Sequence, residues 1–211
     1  MPIDVFEESW LNNTGPLGKG RLEVSIEPYR LRIFAPTNGY FPDGAVRHEV
    51  LHIHRFYVEG VPKLVLRNQA RGNRDLAENF TAIDNALEHL VIIPQELQLH
   101  PERREHWEAM ATEICHDLEE IPENARKLAV CMNWTFLSHV LPNSPQTSVM
   151  RDFALSQGLL ISAEEFAARL LAAMDRKEEM LTVLSREFPE IERGGGEMEY
   201  VRRPGYQGPK H

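Results

Sequence analysis

The chain has 211 residues, 42% hydrophobic and 26% charged, with a formal net charge of -9 and a pI near 5.5. That composition supplies a buried core and excludes a largely disordered chain, while the acidic balance excludes a broad nucleic-acid footprint, which needs concentrated Lys and Arg. Local basic clusters such as Arg67 to Arg74 remain as candidate contacts. No apolar run reaches membrane-spanning length, and Met1-Pro2-Ile3-Asp4-Val5 lacks the basic-then-apolar order of a signal peptide, so the expectation is a soluble cytoplasmic protein. Cys115 and Cys131 belong to no CxxC unit and are expected as buried free thiols.

In chain order, residues 1–20 read as an N-terminal extension ending in a Gly-, Pro- and Asn-rich loop from Asn12 to Gly20. Leu22, Val24 and Ile26 alternate, Pro28 interrupts, and Leu31 and Ile33 alternate again, which predicts two strands or one broken strand. Pro36 to Gly44 is turn chemistry, with Asp43 or Gly44 placed to cap a helix from Ala45 to about Val58 and Gly60 placed to stop it. Lys63 to Arg67 reads as a short strand and Asn68 to Asn79 as polar loop. Thr81 to Leu90 has helical spacing, with Ala82, Ile83, Ala86, Leu87 and Leu90 on the buried side, and Pro94 closes the apolar run that follows.

From Pro101 the pattern is helical throughout. It predicts helices over Pro101 to Glu120, Glu123 to Leu141, Ser144-Pro145 to about Gln157, and a fourth opened by the capping-box match Ser162-Ala163-Glu164-Glu165 and running past Leu181. Gly194-Gly195-Gly196 begins a tail without apolar period. The expected organisation is α+β, a small N-terminal sheet with a motif helix followed by a mainly helical lobe. A single domain would span 21–192, with a metal-site half at 21–95 and a helical half at 101–192, followed by a flexible tail at 193–211.

The stretch that specifies a chemistry is Val46-Arg47-His48-Glu49-Val50-Leu51-His52-Ile53, which contains H-E-x-x-H. On a helix, residues four apart share a face, so His48 and His52 can offer two imidazole nitrogens to one metal ion, with Glu49 beside them as a base. Val46, Val50, Ile53 and Tyr57 form an apolar stripe, and His48, His52, Arg55 and Glu59 a polar one of the same pitch.

Those eight residues resemble the signature of the zincin metallopeptidases, which takes uncharged residues where this chain has Val46, Val50, Leu51 and Ile53; it takes an apolar residue where this chain has His54. The resemblance implies Zn²⁺ held by His48 and His52, a third protein ligand, and Glu49 as general base toward the attacking water. Glu88, 36 residues beyond His52, resembles the third ligand that gluzincins take from a following helix, with His89 and Glu59 as the other choices. Arg55 after His48-Glu49-Val50-Leu51-His52 is similar to effector-type zincins of bacteria. Tyr57, His89 and Arg55 are candidates to stabilise an oxyanion. The expected function is zinc-dependent hydrolysis of a peptide bond in a protein or peptide substrate. The alternative from another class is a non-enzymatic interaction module with an acidic helical lobe, in which the two histidines lie on a solvated helix face or hold only structural metal. No G-x-S-x-G elbow or phosphate loop points elsewhere.

Overall fold

The computed structural model describes residues 3–12, 22–27, 30–37, 43–67 and 73–200. The expected turn at Pro28-Tyr29, residues 38–42 of the expected turn at Pro36–Gly44, residues 13–20 and 68–72 of the expected loops, and the tail from Val201 lie outside them. The architecture is α+β, a three-stranded N-terminal sheet followed by a helical C-terminal part. The chain divides into two compact units, one containing the described residues up to Lys63 with Glu199 and Tyr200, the other Leu64–Met198.

In the first unit β1 (Ile3–Glu8), β2 (Glu23–Glu27) and β3 (Arg30–Pro36) form a sheet of order β1-β3-β2. The alternating residues expected as two strands are β2 and β3, paired antiparallel with Val24 opposite Ile33. β1 pairs parallel to β3, and its Phe6 stacks on the opposing Phe34 with ring centroids 5.4 Å apart. That strand falls in the stretch expected as an extension, because its pairing partner is 28 positions away and parallel pairing leaves no hairpin signature. Leu11, Leu22 and Leu31 are buried.

The motif helix α1 (Asp43–Ile53) runs into a π-helical segment, His54–Glu59. Gly60 ends it at φ 73°, the left-handed conformation that favours glycine, and its N–H donates to the Arg55 carbonyl five residues back. The stop expected at Gly60 is the observed one.

The second unit begins within β4 (Pro62–Leu66), which pairs with β5 (Gly196–Tyr200). Three residues of β5 therefore extend the order of this unit into the stretch expected as a tail: Arg67 N–H donates to the Gly195 carbonyl at 2.8 Å. The helix α2 (Arg74–Leu99) is far longer than the expected Thr81–Leu90. It starts inside the stretch expected as loop, capped by Asn73, whose side chain accepts from Leu76 N–H at 3.1 Å. It also continues through Pro94. An interior proline costs about 3 kcal/mol through its missing donor, but the apolar side chains of Leu90, Ile92 and Ile93 around it are buried and that burial offsets the loss.

The expected Pro101–Glu120 helix is divided into a 3₁₀ turn at Pro101–Arg103, α3 (Arg104–His116) and a second 3₁₀ turn at Leu118–Glu120. The helices α4 (Glu123–Val140) and α5 (Pro145–Ser156) agree with expectation, and the Ser144 side chain caps the latter. α6 (Leu160–Ala172) starts before Ser162, so the capping-box match is helix interior. The chain breaks again before α7 (Lys177–Glu187) and the short α8 (Glu190–Arg193). α4 is central, packing on α2, α5 and α6. Leu137, Met150 and Phe166 are fully buried, and Phe166 meets Phe188 edge-on at 5.4 Å.

Glu96 holds the α2–α3 corner. Its carboxylate accepts from Arg103 Nε at 2.6 Å and from Trp107 Nε1 at 3.2 Å, with carboxylate and guanidinium both buried. A buried ion pair survives only when such further hydrogen bonds satisfy it.

Candidate metal centre

The buried face of α1 is the polar stripe. His48, His52 and Arg55 are 7%, 8% and 7% exposed, and Leu51 lies between the histidines at 6%, while Val46 and Val50 of the apolar stripe are 43% and 45% exposed. This reverses the usual amphipathic arrangement. It also separates the pair from a solvated helix face.

Within that face the two Nε2 atoms stand 3.2 Å apart, with the rings edge-to-face at an interplanar angle of 81°. Two nitrogens each about 2.0–2.1 Å from a tetrahedral ion stand about 3.3–3.4 Å apart, so the pair is at chelating separation. His48 and His52 can each offer one ring nitrogen to a metal ion. The α-helical i, i+4 spacing brings them together, and the residues between them, Glu49, Val50 and Leu51, place no positive charge there.

Below the pair the π segment changes the pitch, and three successive residues, Arg55, Phe56 and Tyr57, become buried. Single turns of π-helix recur at functional sites because the extra residue re-aims the side chains that follow. His52 lies parallel to Phe56 at 6.4 Å, and Lys63 Nζ stands 4.9 Å over the same Phe56 ring. Arg55 donates to Glu59 Oε2 at 3.0 Å and His54 Nδ1 lies 3.0 Å from Glu59 Oε1, so both oxygens of Glu59 are engaged locally. Glu49 is half-buried, one residue and about 100° round the helix from His48.

The remaining expected site residues belong to α2 in the other unit. Glu88 is fully buried and its Oε1 lies 2.7 Å from Lys177 Nζ. Asp84, one turn earlier, takes the same ammonium at 2.7 Å and accepts Leu64 N–H on the same Oδ1 at 2.8 Å. The buried side of α2 thus includes Asp84 and Glu88 beside Leu87 and Leu90, while Ala82, expected to be buried, is exposed. Lys177, 93 residues from Asp84, carried no signal in the sequence. His89 is half-buried and meets Trp107 edge-on, with centroids 5.4 Å apart.

Cys115 and Cys131 are both free, and Cys131 is buried as expected, whereas Cys115 is half-buried. No helix among the described residues is long and apolar enough to cross a membrane. Comparison of the chain with protein-family models, with curated proteins and with solved structures gave no match.

Proposed function

We propose that His48 and His52 hold a divalent transition metal, zinc, and that the chain is a metal-dependent hydrolase of peptide bonds of the zincin type. The observation that carries this reading is the 3.2 Å separation of two buried imidazole nitrogens within an H-E-x-x-H helix. Neutral imidazoles are the donors that suit zinc.

The zincin reading needs a third protein donor, which the sequence leaves among Glu88, His89 and Glu59. Glu88, the residue that spacing favours, already meets the Lys177 ammonium, and Glu59 is engaged by His54 and Arg55.

When bound, zinc supplies a Lewis acid that polarises a carbonyl and lowers the pKa of water. Glu49 would accept the proton of the attacking water, and Arg55 and Tyr57 would be candidates to stabilise a developing oxyanion. The substrate is a protein or peptide. The two free thiols fit a reducing compartment, the cytoplasm.

The test is hydrolysis of a peptide library by zinc-loaded wild type and Glu49→Gln. The reading expects turnover to fall about 10²–10⁴-fold in the variant, the usual contribution of a positioned general base, with metal content unchanged. Equal turnover in the two proteins removes the role of Glu49.

A further inference from the structure

In the helical unit, three ionisable side chains meet where β4, α2 and α7 converge. Lys177, the first residue of α7, has no exposure, and its ammonium stands 2.7 Å from both Asp84 Oδ1 and Glu88 Oε1. Asp84 and Glu88 are 1% and 0% exposed. Two carboxyls thus share one ammonium out of water, where charge is costly to bury.

The two oxygens of Asp84 are used unequally. Oδ1 receives two donors, Leu64 N–H and the Lys177 ammonium, whereas Oδ2 is buried without a hydrogen-bond partner. An ionised carboxylate spreads its charge over both oxygens and needs donors at each. A neutral acid has one carbonyl oxygen, which accepts two bonds, and one hydroxyl; left without a partner in a buried site, that hydroxyl costs less than an oxygen carrying part of a carboxylate's charge. The unpartnered oxygen therefore favours the neutral acid over the carboxylate.

We propose that Asp84 is a proton-binding residue whose protonated form locks β4 and α7 onto α2, so that the helical unit tightens on acidification and loosens as the proton leaves. The groups facing it are Glu88 on its own helix, Lys177 on α7 and the Leu64 amide on β4. Desolvation acts in the same direction, raising the Asp84 carboxyl above the usual carboxylate range, with the neighbouring Glu88 charge adding to it against the opposing pull of Lys177. A carboxyl raised in the folded state binds more protons there than when unfolded. Its contribution to stability is therefore full below the unfolded carboxylate range and is lost as pH rises through the folded value. Nothing in this cluster draws on His48, His52 or Glu49, so the inference stands apart from the metal reading.

The experiment follows the Asp84 carboxyl carbon by NMR in the full-length chain across about pH 4–8, beside urea stability of wild type and Asp84→Asn over the same range. Asparagine keeps the accepting oxygen and replaces the hydroxyl with an amide that carries no titrating proton. The inference expects Asp84 to titrate above the ordinary carboxylate range and wild type to lose stability relative to Asp84→Asn as pH rises. Exchange of the Leu64 amide should accelerate beyond its intrinsic pH dependence only in wild type. A titration at or below the ordinary range overturns it, as does a stability difference constant with pH. Should Asp84→Asn fail to fold, the wild-type titration decides alone.

Discussion

Lys177→Met keeps the length and apolar stem of the side chain and removes only the ammonium. Asp84 and Glu88, each 2.7 Å from that ammonium, then lose their common donor in a buried site. Hydrogen bonds to charged groups contribute about 1.5–3 kcal/mol each, so two give about 3–6 kcal/mol, in line with the about 3–5 kcal/mol lost when one member of a buried ion pair is removed. For a chain of this size each kcal/mol moves Tm by about 2–4 °C, which predicts a drop of about 6–20 °C. The assay is urea and thermal unfolding followed by tryptophan fluorescence, since Trp107 and Trp134 both report from the helical unit. The loss should be greatest at neutral pH and smaller in acid, where a carboxyl that has lost the ammonium takes up a proton. A loss below about 1 kcal/mol at neutral pH would refute the view that this ammonium holds β4, α2 and α7 together.

Two further outcomes follow from packing and burial. Gly196→Ala should destabilise by about 1–3 kcal/mol in urea unfolding, the usual range for overpacking, because a Cβ there would stand 2.7 Å from Phe80 Cε1 and 3.0 Å from the Ile191 carbonyl oxygen. Burial pushes the Cys131 thiol up to about 11, so a thiol reagent near neutral pH should label Cys115 first and reach Cys131 only at the rate of unfolding. Cys131 labelling that keeps pace with Cys115 would contradict that.

The parts of the fold that were legible in the sequence are those written in local chemistry. Gly60 ends the motif segment through its left-handed φ, Ser144-Pro145 opens α5, and the alternation of Leu22, Val24 and Ile26 marks β2. What escaped depends on distant partners. β1 exists through parallel pairing with β3, and β5 through β4, neither of which leaves a turn signature. Pro94 reads as a helix end until the burial of Leu90, Ile92 and Ile93 is known.

The candidate site divides in the same way. His48 and His52 were legible because i, i+4 spacing on one helix needs no tertiary information, and their nitrogens do meet. Which stripe of that helix is buried was not legible, since apolar periodicity alone gives no place to a buried polar face. Glu88 matched a spacing, but an acidic residue one turn from another acquires its role from a distant lysine, and only folding brings Lys177 to it.

The most direct test of the central claim is elemental analysis of zinc-equilibrated, extensively dialysed protein, comparing wild type with His52→Ala and Glu49→Gln. The account predicts about one zinc per chain in wild type and in Glu49→Gln, and little or none in His52→Ala, which keeps a single imidazole of the pair. Wild-type protein without stoichiometric metal, or zinc retained in full by His52→Ala, would contradict it and leave His48 and His52 as a hydrogen-bonded structural pair.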